Sequence, residues 1–217
     1  MVKSFEDAYI LGLWCADGYH RTSSIGLSNI DPELVRRFSK YLLKKFPAER
    51  LRLRVYVCDG DSADKALIRE FISVSYLKAV KARHTAYHTY VNSRSLLREF
   101  IKERNERLKI EKDFILPYIA GRFDGDGSVA KDLKSDFRIA YGSYNDAECD
   151  KTLLQKTFPC AATVYTYKKA RTYCLYVSQK DAPRLVKELL PYSSNLQAIG
   201  CLSRPVETEA FMAEIAN

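Results

Sequence analysis

Two carboxylates carry the chemistry that this sequence suggests. Asp17 closes the run Ile10 to Gly18, ILGLWCADG, and Asp126 closes Ile119 to Gly127, IAGRFDGDG. Each Asp precedes a glycine suited to ending a helix. Small residues recur four apart: Ala8, Gly12 and Ala16 in the first run, Gly121 and Gly125 in the second. On a helix that spacing makes a stripe poor in side chains, and two such stripes let helix backbones come unusually close. A carboxylate at a helix C-terminus faces the negative end of the dipole, so two of them side by side need a cation. The cation we read there is a divalent metal, and paired divalent ions roughly 4 Å apart both activate water and neutralise a leaving oxygen. Mg2+ binds through one or two carboxylates plus phosphate oxygens and waters, so few protein ligands are expected. One such run alone is an ordinary capped helix; two in matching contexts point to a site.

The elements that must position the pair follow from patterning. Ser4 is a candidate cap for the first motif helix, which runs to about Cys15. Ile25 and Leu27 alternate with Ser24, Gly26 and Ser28 as in a short hairpin. Asp31-Pro32 opens a helix with an apolar face through about Lys45. LRLRVYV (51–57) alternates strictly and reads as a half-buried strand whose other face carries Arg52, Arg54 and Tyr56. Ala66 to Lys81 admits a helix or two strands, and we read the region as an inserted element. HTAYHTYV (84–91) reads as a strand, Ser93 as the cap of a helix, and Glu103 to Lys112 as a linker or helix end lacking Gly and Pro. Pro117 is expected near the start of its helix, where a missing N–H is harmless. A short helix is expected after Pro205.

The second half repeats the plan. Asp17 matches Asp126 at an offset of 109, SNIDPEL (28–34) matches SYNDAEC (143–149) at 115, and Phe46-Pro47 matches Phe158-Pro159 at 112. YVNS (90–93) matches YVSQ (176–179) at only 86, which places an insertion in the first half between its last two strands. A period this long, seen twice, means a duplicated unit. The units are residues 1–107, with the insertion at about 59–84, and 108–217.

Composition narrows the partner. The formal net charge is +8 over 217 residues, and many of the 15 Tyr lie among Lys and Arg; both favour a polyanion. Nothing resembles a membrane span or a signal peptide. Six cysteines without C-x-x-C spacing argue against a zinc site and for a reduced, intracellular protein.

Both acidic runs resemble the LAGLIDADG motif of homing endonucleases, in the single-chain form with two motifs and similar to archaeal intron-encoded members. The resemblance implies an α+β fold: two αββαββα units packed through the paired motif helices, with antiparallel sheets forming a saddle on DNA. It implies a monomeric, site-specific endonuclease that hydrolyses one phosphodiester on each strand of a long asymmetric duplex target and leaves short 3′ overhangs. Its cofactor would be Mg2+, as two or three divalent ions, with Mn2+ substituting and Ca2+ binding without cleavage. Asp17 and Asp126 would be catalytic and hold metal, helped by the carbonyls of Ala16 and Gly125. Lys180, its counterpart Arg94, and Asn29 would complete the catalytic set. The DNA contacts expected are His20, Arg21, Arg52, Arg54 and Tyr56 in the first unit. In the second they are Lys131, Lys134, Arg138, Tyr165, Tyr167, Lys168, Lys169 and Arg171. The basic strand faces also admit a plainer reading as solvated surfaces. Cys15 departs from the motif where Asp124 keeps its acid, and Arg122 stands where an apolar residue is usual. Two rivals remain: an RNA-splicing maturase binding intron RNA, and a non-catalytic DNA-binding regulator. The cytoplasm or nucleoid of a prokaryote is the expected location, with an organelle as the alternative.

Overall fold

A computed structural model of the chain describes residues 2–20, 23–80, 82–129, 136–168 and 171–203. The first unit runs α1 (Phe5–Asp17), β1 (Gly18–Tyr19), β2 (Ser24–Asn29), α2 (Pro32–Leu43), β3 (Arg52–Val57), α3 (Lys65–Arg69), β4 (Ser73–Lys78), β5 (Ala86–Asn92) and α4 (Arg94–Asn105). The second runs α5 (Lys112–Asp126), β6 (Gly127–Val129), β7 (Phe137–Tyr141), α6 (Tyr144–Thr157), β8 (Ala162–Tyr167), β9 (Thr172–Val177), α7 (Ala182–Leu189) and α8 (Ser194–Ser203). The two sheets have strand orders β1-β2-β5-β3-β4 and β6-β7-β9-β8. They are the same arrangement with β4 added at one edge. All pairings are antiparallel except β3 with β4.

Local chemistry starts the helices where the sequence signals them. Ser4 accepts from the amide of Asp7, Asp31 from Glu33 with Pro32 at the first helical position, Ser93 from Leu96, and Ser143 from Asp146; each satisfies an amide that the helix leaves unpaired. The inserted region is both a helix and a strand. Asp64 caps α3 at the amide of Leu67, and β4 returns parallel to β3. Between α4 and α5 the chain makes a 3-10 turn at Arg107–Lys109, where the boundary expected between the units falls. The expected helix after Pro205 lies outside the described residues; α8 precedes it.

One reading is corrected in α5. The helix begins at Lys112, so Pro117 sits inside it rather than near its start. The hydrogen bond lost is the one to the carbonyl of Asp113, on an exposed first turn where water can replace it. Arg122, which stands where an apolar residue is usual, is buried.

Helices cover one face of each sheet. Leu27 of β2, Leu53 and Val55 of β3, Val91 of β5, Phe137 and Ile139 of β7, and Leu175 and Val177 of β9 are all buried on that side. The alternate residues face the open side. At the centre lie α1 and α5, buried from Ala8 to Trp14 and from Tyr118 to Asp124. A helix enclosed on all sides has no polar stripe to conserve, which explains why these two runs lack amphipathic spacing. Among the described residues Cys15, Cys58, Cys149, Cys160 and Cys174 are free thiols.

Candidate active site

The seam between α1 and α5 is made of main chain. A Cβ on Gly12 would lie 2.0 Å from the carbonyl oxygen of Tyr118, and one on Gly121 would lie 2.0 Å from that of Tyr9. A Cβ on Gly125 would lie 2.3 Å from the Ala16 Cβ and 2.9 Å from Asp17 Oδ2. The two helices therefore end side by side, with Asp17 and Asp126 as their last residues. Burial, followed by the charge of Asp126, pushes the Asp17 carboxyl up to about 6, against the pull of Asn29 and Arg122. Burial also raises Asp126, with Arg122 opposing it. Both groups resist ionising together, as expected of two acids at negative helix ends.

The donor set fits a hard divalent cation. The Trp14 and Phe123 carbonyls accept from the amides of Gly18 and Gly127. The carbonyls of Ala16 and Gly125 belong to the last turns, where a helix supplies no partner. Among the described residues no group of three or more His, Cys, Asp or Glu side chains converges. Two carboxylates with neighbouring main-chain oxygens leave the remaining positions to phosphate and water, which is the habit of Mg2+.

The surroundings of the two acids differ. Asn29, at the end of β2, donates from Nδ2 to Asp17 Oδ2 at 2.7 Å. Its Oδ1 accepts from the amide of Asp31 at 2.7 Å, which fixes the orientation of the side-chain amide. Beside Asp126 stands Arg122, with Nη1 3.9 Å from Asp126 Oδ2 and Nε 3.2 Å from Asp150 Oδ2. The guanidinium also lies 4.5 Å over the ring of Tyr141. Asp150, 1% exposed, accepts from Tyr118 at 3.0 Å, Tyr141 at 3.1 Å and Arg107 at 3.0 Å. Arg107 continues to Asp146 at 2.5 Å. Arg107 and two tyrosines thus donate to one buried carboxylate and Arg122 pairs with its charge, as such a charge requires.

Asp124 has a structural post. It accepts from Tyr9 at 2.6 Å, from the Ser193 hydroxyl, and from the amides of Ser194 at 2.8 Å and Asn195 at 3.3 Å. It therefore holds the N-terminus of α8, where a negative charge is favoured. Arg37 lies 3.3 Å over the Tyr9 ring and donates to the Tyr192 carbonyl at 3.0 Å, so α2 of the first unit reaches the second. Tyr9 and Tyr118 occupy matching places on the two helices, and each gives its hydroxyl to a buried acid on the second unit.

The open sheet faces carry the expected basic and aromatic residues. Arg52, Arg54 and Tyr56 lie opposite Tyr90, His88 and Ala86. There Tyr19 lies tilted against His88 at 4.1 Å, His88 approaches Tyr90 at 5.1 Å, and Arg54 sits 5.0 Å over Tyr90. On the second sheet Tyr165 meets Tyr176 at 5.6 Å, and Arg138 lies 5.8 Å over the Tyr176 ring. Tyr167 and Lys168 are exposed, as is Arg171 across the hairpin tip. His20 is exposed, with its ring 5.7 Å from Trp14. Arg21, Lys131, Lys134 and Lys169 lie outside the described residues.

Two expected catalytic residues do not reach the acids. Asn29 pairs with Tyr87 at the start of β5, whereas Arg94 follows the end of that strand. Seven residues of nearly extended chain separate that level from Arg94, on the order of 20 Å. Lys180 likewise lies in the turn beyond Val177, whereas Gly127, next to Asp126, is level with Ile139 and Leu175. The repeat matches Arg94 with Lys180 correctly, but both sit at the sheet ends remote from the acidic pair. The sequence reading also missed the Arg122–Asp150 cluster. Its signal was Asp150 itself, on the buried side of α6 with Ala147, Leu153 and Leu154.

Paired α/β units joined through glycine-lined helices that end in adjacent Asp residues define the two-unit LAGLIDADG fold. Residues 4–104, the first unit, match the family described as the LAGLIDADG-like domain. The fold of the whole chain is similar to that of the homing endonuclease I-DmoI, solved with DNA and Ca: TM-score 0.63, 16% identity, 90% of this chain and 97% of that one. It is also similar to the homing endonuclease I-WcaI bound to its DNA recognition sequence, with TM-score 0.59, 10% identity, and coverage of 89% and 84%. The N-terminal LAGLIDADG domain of DUF199/WhiA matches with TM-score 0.54, 16% identity, and coverage of 86% and 84%. The sequence itself matches no curated protein.

Proposed function

We propose that the protein is a monomeric, site-specific DNA endonuclease of the homing type. It cuts one phosphodiester on each strand of a long asymmetric target and leaves short 3′ overhangs. The observation that carries this reading is the acidic pair at the joined ends of α1 and α5, flanked by two open faces rich in Arg and Tyr. The solved relatives I-DmoI and I-WcaI, bound to DNA, support it. The open faces follow the duplex, with Arg side chains on phosphates and guanine edges and Tyr rings against sugars and bases. Asp17 and Asp126 each serve one strand. Divalent ions bound there, Mg2+ or Mn2+, supply charge neutralisation at the scissile phosphates. Asn29 holds the Asp17 carboxylate in one orientation, and the seam fixes the separation of the two acids. We place the protein inside the cell, with its DNA.

The test is cutting of a randomised library of long duplexes in Mg2+ by purified protein. Double-strand breaks at one sequence, reduced to nicks or lost in Asp17→Asn and Asp126→Asn while binding persists, support the reading. Tight duplex binding with no cutting in Mg2+ or Mn2+ would establish a regulator instead. Preference for folded intron RNA over duplex would establish a maturase.

A further inference from the structure

The two acids occupy equivalent places but different electrostatic settings. On α5 the residue one turn before Asp126 is Arg122; its equivalent on α1, one turn before Asp17, is Leu13, fully buried and apolar. Arg122 is 3% exposed and cannot swing away, because Asp150 and the Tyr141 ring hold it. Asp17 is instead met by a neutral amide, Asn29. By strand register the equivalent of Asn29 is Tyr141, which gives its hydroxyl to Asp150 at 3.1 Å and lies under the Arg122 guanidinium rather than donating to Asp126. Among the described residues the ion pair to the acids is therefore made on one side, by Arg122 to Asp126 at 3.9 Å, although the Arg122 charge also pulls on Asp17.

We infer that Arg122 is a positioning residue that makes the acidic centre lopsided: clamped by Asp150, it serves as a built-in counter-cation for Asp126. A divalent ion is consequently held more weakly on the Asp126 side than on the Asp17 side, and the two DNA strands are cut at unequal rates. The cut-rate clause rests on the endonuclease reading; the metal-affinity clause does not. Coulomb repulsion between a guanidinium and a divalent ion sharing one carboxylate, at low effective dielectric, is large enough for a difference of tenfold or more. The cost of keeping Arg122 buried is met by Asp150, whose other partners are Arg107, Tyr118 and Tyr141.

The experiment compares Mn2+ affinity in two variants that each retain one acid, by electron paramagnetic resonance of the free ion. Asp17→Asn keeps the Asp126 side and is expected to bind Mn2+ at least about tenfold more weakly than Asp126→Asn, which keeps the Asp17 side. Adding the charge-balanced pair Arg122→Met and Asp150→Asn to both should close that gap to within about threefold, whereas Arg122→Lys, which keeps the charge, should preserve it. Equal affinities in the two single-acid variants, or a gap that closes in Arg122→Lys, overturn the inference. If the charge-balanced pair does not fold, the single-acid comparison with and without Arg122→Lys still decides. Strand-resolved cutting of a selected duplex is read separately. A wild-type protein that binds DNA but cuts neither strand defeats the nuclease reading and leaves the Mn2+ comparison intact.

Discussion

Replacing Gly12 by alanine puts one methyl group where the seam has no room. The new Cβ would start 2.0 Å from the Tyr118 carbonyl oxygen, and real Cβ contacts essentially never fall below 3.0 Å, so α1 and α5 must part by at least about 1 Å. The obstacle is main chain on a buried helix, which no rotamer change relieves. Overpacking of well-filled interiors costs roughly 1–3 kcal/mol, and a main-chain obstacle belongs at the upper end, about 3 kcal/mol. For a chain of this length each kcal/mol moves the melting temperature by about 2–4 °C, so Gly12→Ala should lower Tm by about 6–12 °C. The same opening parts Asp17 from Asp126, and a misplacement of about 1 Å is worth around 100-fold in rate. Gly142→Ala is the control, since nothing lies within 4 Å of its added Cβ; it should leave Tm and cutting within error. Thermal unfolding by circular dichroism and strand-resolved cutting read both effects. A Gly12→Ala protein that melts within about 1 °C of wild type and cuts at the normal rate would refute the seam as the device that sets the spacing of the acids.

Three further outcomes follow from the electrostatics. The Asp17 carboxyl is raised to about 6 from 3.8, so the metal-free folded protein keeps a proton there that the unfolded chain releases; this contribution is present at low pH and is lost as pH rises from about 4 through 6. Above pH 6, Asp17→Asn should therefore melt higher than metal-free wild type, with the difference vanishing near pH 4. His88 behaves oppositely: burial, with Arg54 beside it, lowers its pKa to about 4. Its contribution stands above pH 6.5 and is lost as pH falls towards 4, so His88→Gln should flatten acid-induced loss of stability in that window. Finally, duplex affinity should fall at least about tenfold between 50 and 200 mM salt, because Arg and Lys contacts release counterions; a salt-insensitive affinity measured by fluorescence anisotropy would remove the open faces as the DNA surface.

Much of the architecture was legible because it is local. Capping residues, strict alternation in LRLRVYV and small residues four apart each act within a few positions, and the duplicated order followed from them. Asn29 was legible for the same reason: it ends a hairpin that starts beside Asp17. Arg94 and Lys180 were placed wrongly because sequence order does not give the direction in which a strand leaves the site, and an antiparallel neighbour carries its last residue away. Arg122 was visible as an anomaly, but its partner Asp150 lies three elements later, and only packing of α6 on α5 joins them. The edge strand β4 was ambiguous because its side chains are mostly exposed, so burial imposes little pattern on it.

A joint built from peptide groups carries little information about which helix it accepts. Any helix equally bare over one turn would seat against α1 as well as α5 does, so the halves of such a chain are in principle graftable between proteins. What restricts the exchange is the clasp beside the joint, where Arg37 and Tyr9 of one half grip Tyr192 and Asp124 of the other. A hybrid that transplants the helices without that clasp would assemble loosely, and one that transplants both would inherit this protein's alignment of the two acids along with foreign sheet faces.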